Sequence, residues 1–290
     1  MHIAILSPFH SPSSISYAEG VIEYLLSNQI KVSVEASLFS VLDNTEANEQ
    51  LHIFEALDQS FDYLISIGGD GSMLQAITKV GHTDIPILGI NTGRLGFLTS
   101  LQKESINQGL KQLFNKEYTL VERSLLEVHL SHKDESIADF RYALNEVSIS
   151  RKNSASMISV HTKINDQALA TYWADGLIVA TPTGSTGYSL SSGGPVMSPK
   201  TAAIVLTPIA PHNLNIRPLI LPDDAKVSAR VEGREEEHLL SLDSRIVSLP
   251  QNTEIHIEKA PFTIKTIQWE ENAFFKTLQE KLYWGLDKRN

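Results

Sequence analysis

The chain of 290 residues contains no cysteine. A disulfide scaffold, a thiolate metal site and a cysteine nucleophile are excluded together, and a reducing compartment is expected. Positive charge is also short, with 24 Lys and Arg against 34 Asp and Glu and a net charge of −10. Such a balance repels polyanions unless a basic patch intervenes. No patch is found, so neither nucleic acid nor an anionic membrane is an expected partner. Long apolar runs are missing too. No stretch approaches the roughly 18 residues of a membrane span, and Met1-His-Ile-Ala-Ile-Leu-Ser7 lacks the basic and apolar regions of a secretory signal. A soluble, cytoplasmic chain is expected.

Several signature motifs are absent as well. There is no Gly-x-x-x-x-Gly-Lys-Ser/Thr and no Gly-x-Gly-x-x-Gly after a strand, which excludes a Walker-type enzyme and a standard Rossmann dehydrogenase. Gly184-Ser-Thr-Gly187 is one residue too short for a hydrolase nucleophile elbow. The ten histidines show no zinc-ligand spacing.

What is present is a chain able to bury a core, with 42% hydrophobic and 20% charged residues. At roughly 150 residues per domain its length predicts about two domains. Up to about residue 115, strand-like runs (Ile3–Leu6, Val32–Val34, Tyr63–Ile67, Ile85–Ile90) alternate with helical spacing. Helices are predicted over Ile15–Leu26, with Ser13 and Ser14 as capping candidates, over Leu51–Leu57 and Ser72–Val80, and from Ser105 to Phe114. That alternation predicts a mainly parallel sheet covered on both faces. Past Tyr118 helical periodicity nearly vanishes, and β-rich runs separated by turn signals such as Pro222-Asp-Asp224 predict antiparallel β structure. Phe274, Phe275, Leu278 and Leu282 then predict a terminal helix, stopped by Gly285, that covers part of the first domain.

Three segments carry chemistry. Ile67-Gly-Gly-Asp-Gly-Ser72 joins a strong strand to a helix. Gly68, Gly69 and Gly71 let the main chain approach a ligand, and the helix N-terminus turns N–H groups toward a phosphate. Asp70 among such groups is suited to accept a proton from a hydroxyl or to help hold a metal ion. Gly89-Ile-Asn-Thr-Gly-Arg-Leu-Gly-Phe-Leu-Thr99 follows the next strand, so that Arg94 would meet phosphate in the same crevice. The stretch Trp173 to Pro195 is dense in Gly, Ser and Thr and offers one aromatic face to a flat, polar ligand. Within it, Asp175 suits sugar hydroxyls or an amide. Asn145-Glu146 interrupts an apolar strand, so one of the two faces inward, as a ligand contact or as a buried structural pair.

Gly68-Gly-Asp-Gly71, Asn91-Thr-Gly-Arg-Leu-Gly-Phe-Leu98, Asn145-Glu146 and Asp175 through Tyr188, in this order and spacing, resemble the NAD kinases. Pro208-Ile-Ala-Pro-His212, Arg217-Pro218 and Leu242-Asp-Ser244 extend the resemblance over most of the chain. It implies an N-terminal Rossmann-like α/β domain over 1–118, carrying the phosphate-donor and catalytic loops. It further implies an antiparallel β-sandwich over 119–264 that binds NAD, a segment 265–290 returning to the first domain, and a homo-oligomer, dimer or tetramer. The implied reaction moves the γ-phosphoryl group of ATP to the 2′-hydroxyl of the adenosine ribose of NAD, with Mg²⁺ or another divalent cation as cofactor.

Asp70 would be the proton acceptor, with Gly71 at the same ligand; Gly68, Gly69, Gly71, Ser72 and Arg94 would meet the phosphates. The resemblance puts Asn145 and Glu146 at the adenosine and ribose, Asp175 at the nicotinamide half, and Thr186, Gly187, Tyr188, Ser189, Leu190 and Ser191 around the adenine. Ala210 and Arg245 match weaker contacts. Departures from the family pattern are Ser72 for Thr, Gly187 for Ala and Arg245 for Gln, the last adding a charge toward a phosphate or a neighbouring subunit. Two other readings stand beside this one: a lipid or small-alcohol kinase with the same glycine loop, and a non-catalytic NAD(P)-sensing oligomer.

Overall fold

Helices and strands alternate through the first hundred residues because apolar residues recur there at spacings of two and of three to four in turn. The computed structural model of the chain describes residues 1–43, 48–93, 96–131, 137, 139–153, 156–269 and 273–285. They fall into two units, Met1–Glu122 with Ile264–Asn290, and Arg123–Thr263.

The first unit runs β1 (His2–Leu6), α1 (Pro12–Ser27), β2 (Lys31–Glu35), α2 (Ala36–Phe39), β3 (His52–Phe54), β4 (Tyr63–Gly68), α3 (Asp70–Val80), β5 (Ile87–Asn91), β6 (Leu101–Gln102) and α4 (Ile106–Phe114). The order β3-β2-β1-β4-β5 is parallel throughout. Ile3, Ile5, Val32, Val34, Ile65, Ile67, Leu88 and Ile90 from these strands share one core with Ala18, Val21, Ile22 and Leu25 of α1 and Leu110 and Leu113 of α4. Two local expectations are corrected. Ser11 caps α1, its side chain accepting the Ser14 N–H at 3.2 Å ahead of Pro12 at the first turn. Residues 51–57 are not helical: Ile53 pairs with Val34 in the edge strand β3. Apolar residues at 51, 53, 54 and 57 fit both periods, and pairing with β2 decided between them.

The second unit begins within β7 (Thr119–Leu130) and continues with β8 (Tyr142–Ala143), β9 (Glu146–Arg151), β10 (Ile158–Ile164), β11 (Gln167–Ala174), β12 (Gly176–Ala180), the single turn α5 (Tyr188–Ser191), β13 (Ala203–Ile209), β14 (Leu219–Pro222), β15 (Val227–Glu232), β16 (Glu237–Leu242) and β17 (Arg245–Pro250). β18 (Glu254–Gln268) starts in this unit and ends in the first, where Thr266 pairs parallel with Ile87. One antiparallel sheet has the order β14-β13-β12-β9-β16-β17; facing it, β11, β10, β15 and the first part of β18 pair antiparallel in turn. Val147, Ile149, Leu177, Val179, Leu206 and Leu240 of the one meet Val160, Val227, Val231, Ile255 and Ile257 of the other in a common core. The architecture is an α/β unit and an antiparallel β-sandwich, the class that the patterning predicts. The terminal helix α6 (Ala273–Leu282) belongs to the first unit.

Candidate active site

β4 and β5 are parallel neighbours in a register that pairs Gly68 with Asn91, so the loops leaving their carboxyl ends emerge side by side. Gly68 has φ of +146°, and it alone of the three loop glycines lies at positive φ. α3 begins immediately, with Ser72 and Met73 donating their N–H groups to the Gly69 carbonyl and no side chain capping the start. Asp70 therefore stands in the first turn of a helix whose N-terminus favours negative charge. Its two carboxylate oxygens accept the N–H groups of Phe97 (2.9 Å) and Leu98 (3.0 Å) from the second loop. That loop reaches so close because residue 96 is glycine: a Cβ there would lie 1.9 Å from Asp70 Oδ1. The carboxylate is thus fixed in direction by main-chain donors that cannot rotate away, while about a third of the side chain (32%) stays open to solvent. Phe9, exposed in the segment between β1 and α1, borders the same loop, its ring 3.3 Å from where a Cβ on Gly71 would stand.

The other glycine-loop expectations fare differently. Ser72 is 1% exposed with its hydroxyl beneath the Gly68 turn, and does not present it on the open face. Arg94 lies outside the described residues. Lys281 of α6 was missed by sequence reasoning: its ammonium lies 3.8 Å from Asp70 Oδ2 and 4.8 Å from the centre of the Phe97 ring.

In the second unit Asn145 lies in the break between β8 and β9, and Glu146 opens β9. Asp243, in the β16–β17 turn, holds that break by accepting the N–H groups of Leu144, Asn145 and Glu146 at 2.9, 2.8 and 3.2 Å. The Asp243 N–H donates in return to the Glu146 carbonyl. Glu146 is the member that turns inward, and Oε2 finds no hydrogen-bond partner among the described residues. Burial first, then the Asp243 charge, pushes its carboxyl up to about 7, against the pull of the Tyr188 N–H. Burial also pushes the Asp243 carboxyl up, opposing its three N–H donors.

Gly184 sits on the main chain of Asn145, where a Cβ would meet the carbonyl oxygen at 1.9 Å, so the Gly/Ser/Thr segment and the polar pair are packed as one piece. At Gly187 a Cβ would come 2.8 Å from Glu146 Oε2, so the glycine in place of the family's alanine leaves that carboxyl more room. Arg123, buried in β7 and also missed from sequence, donates to Thr183 Oγ1 at 3.2 Å. Tyr188 and Ser191 are exposed and Thr186, Gly187 and Leu190 half-buried, whereas Ser189 is buried with its hydroxyl 2.8 Å from that of Thr207. Asp175 is oriented by Arg151 at 2.9 Å. Ala210 is exposed with φ of +46°. Arg245 does not offer its charge outward: it donates to the carbonyls of Phe140 and Tyr142 and lies over the Phe140 ring at 4.9 Å.

Glu127, His129 and Glu258 place three donor atoms within 4.8 Å of one another on β7 and β18. The imidazole suits a transition metal better than Mg²⁺, which prefers oxygen ligands. Asp70, an oxygen donor with solvent access, fits a hard cation that is held chiefly by nucleotide phosphates.

The directed carboxylate on the glycine loop of the first unit and the polar cradle on the β-sandwich of the second are each what a phosphotransferase acting on a nucleotide needs. Family models agree: residues 3–118 match the ATP-NAD kinase N-terminal domain and residues 144–269 the ATP-NAD kinase C-terminal domain. NAD kinases of Flavobacterium psychrophilum and Christiangramia forsetii are each 46% identical to the chain, over 100% of both lengths. Among solved structures, a yeast NADH kinase complexed with NADH is similar at a TM-score of 0.86 and 27% identity, covering 99% of this chain and 89% of that one. An Archaeoglobus fulgidus NAD kinase in complex with ATP gives 0.76 and 26%, covering 98% and 99%. The chain belongs to the NAD kinase family.

Proposed function

We propose that Asp70 takes the proton of the 2′-hydroxyl of the adenosine ribose of NAD while the γ-phosphoryl group of ATP moves to that oxygen. Phosphorylation of NAD with ATP as donor is the activity of the chain. The observation that carries the proposed role is the clamp of Phe97 and Leu98 N–H groups on Asp70, which aims an acceptor beside a helix N-terminus. In the transfer the bond from the γ-phosphorus to ADP breaks as the bond to the ribose oxygen forms, and the hydroxyl proton passes to Asp70, giving NADP and ADP. Such transfers depend on alignment and on neutralising charge more than on covalent help. Mg²⁺ or another divalent cation, when bound, neutralises charge on the phosphates, with Asp70 as the protein oxygen that would hold it.

On the acceptor side, Asn145 and Glu146 hold the adenosine ribose, Asp175 the nicotinamide half, and Thr186 to Ser191 border the adenine. Glu146, its carboxyl pushed up to about 7, can donate as well as accept a hydrogen bond near neutral pH. A homo-oligomer is part of the same proposal. It is supported by β11, the last strand in its sheet order, on which the large apolar side chains of Leu169 and Trp173 are exposed. A soluble, cytoplasmic setting accords with helices too short and polar, among the described residues, to cross a membrane.

The test is NADP formation from ATP, Mg²⁺ and NAD, read through an NADP-specific dehydrogenase. Asp70→Asn should keep NAD binding and lower kcat on the order of 10²-fold or more. Near-normal turnover in that variant would remove Asp70 from the base role.

A further inference from the structure

The glycine loop contains no lysine or arginine, although a phosphoryl group in transfer carries charge on three oxygens that needs a fixed cation nearby. Among the described residues, one such cation stands beside Asp70, and it comes from the far end of the chain. Lys281, in the last turn of α6, lies 3.8 Å from Asp70 Oδ2, longer than a hydrogen bond, and it has no other carboxylate within ion-pair distance among the described residues. Its position is built. The ammonium stands 4.8 Å from the centre of the Phe97 ring, a distance at which a cation is attracted to the ring face. Phe97 also donates the N–H that fixes Asp70. α6 is anchored on the same ring through Phe274, whose centroid is 6.3 Å away, and by the buried Leu278. Base, ring and ammonium therefore form one cluster within the first unit.

We propose that Lys281 is a donor-side residue of the phosphoryl-transfer site, contacting the γ-phosphate of ATP during its transfer. The inference rests on the reading of Asp70 as the base. The ammonium faces the carboxylate at 3.8 Å. With ATP bound, the phosphate oxygens are the stronger partners, because several negative oxygens converge where one carboxylate stood. Lys281 keeps its protons throughout: the hydroxyl proton still goes to Asp70, and the bond broken is still that between the γ-phosphorus and ADP. The terminal helix thereby supplies the point charge that other nucleotide kinases place inside the phosphate loop.

The experiment uses the full chain with Lys281→Met and Lys281→Arg. Steady-state kinetics should show Lys281→Met lowering kcat/KM for ATP at least 20-fold while KM for NAD stays within twofold. Lys281→Arg should restore a substantial part of the loss, which a purely structural pin would not require. Calorimetric titration of ATP in the Asp70→Asn background should show weaker binding when Lys281→Met is added, a readout independent of turnover. An unchanged KM for ATP with a lowered melting temperature would reduce Lys281 to a helix anchor, and a rise in kcat would make it a plug on Asp70; either result overturns the proposal. Normal turnover in Asp70→Asn with impaired ATP binding in Lys281→Met would overturn the base assignment and leave the phosphate contact standing.

Discussion

The direction of the Asp70 carboxylate is set by the loop packed against it. Asp70 is held by main-chain donors, and Gly96 is what lets them approach, since a methyl group there would overlap Asp70 Oδ1. Gly96→Ala should displace the carboxylate and lower kcat on the order of 10²-fold, a typical cost of misplacing a reacting group by about 1 Å. Its melting temperature should stay within a few degrees of the parent, because the clash is with a side chain about a third open to solvent. Equal losses of activity and folding would show that the loop itself had collapsed. The buried titratable groups of the second unit act on stability instead. Glu146, raised from 4.5 to about 7, contributes fully below pH 4.5, and its contribution is lost as pH rises through 7. His238, fully buried with both ring nitrogens unpartnered among the described residues, is lowered by burial from 6.5 to about 4. Its contribution is complete above pH 6.5 and is lost as pH falls through 4. The two slopes oppose each other, each spanning about 3 kcal/mol. Glu146→Gln should therefore be more stable than the parent at pH 8 and lose that advantage toward pH 4.5. Urea unfolding across this range checks it, and parallel curves for parent and variant would contradict the buried carboxyl.

Among the elements, the β16–β17 turn fixes the main chain at Asn145 and Glu146 through Asp243. Asp243→Ala would leave the N–H groups of Leu144, Asn145 and Glu146 without their acceptor, costing about 3 kcal/mol or more. It should also raise KM for NAD about tenfold or more, with kcat for saturating NAD less affected. An unchanged KM would mean that the break between β8 and β9 keeps its shape unaided. Asp243 was visible in sequence only as part of a motif, because a carboxylate in a hairpin turn reads like many others. The strands and the glycine loops were legible, since buried strands announce themselves by apolar runs and glycines mark turns at their ends. Residues 51–57 misled because apolar residues at 51, 53, 54 and 57 satisfy either period. Arg123, Lys281 and the inward turn of Ser189 were not legible, for each depends on a contact with residues 18 to 211 positions away.

For the whole molecule, the consequence of the topology is that the first unit is discontinuous. Its last strand segment, in which Ile264, Thr266 and Ile267 are buried, arrives only after the second unit has been threaded out and back. Thr266 pairs with Ile87 on β5, the strand whose carboxyl end carries the loop that clamps Asp70. A chain ending at Thr263 would leave β5 paired on that side only by β6, at Ile90 and Asn91, and expose Ile267's place in the core. A chain ending at Trp269 would keep the pairing and lose only α6. The first truncation should abolish cooperative unfolding of the α/β unit, while the second should fold with its sheet intact and lose activity by at least as much as Lys281→Met. Circular dichroism during urea unfolding, alongside NADP formation, separates the two. If the chain ending at Thr263 unfolded cooperatively at the parent's midpoint, the returning strand would be dispensable, and the coupling between chain end and glycine loop would have to be sought in α6 alone.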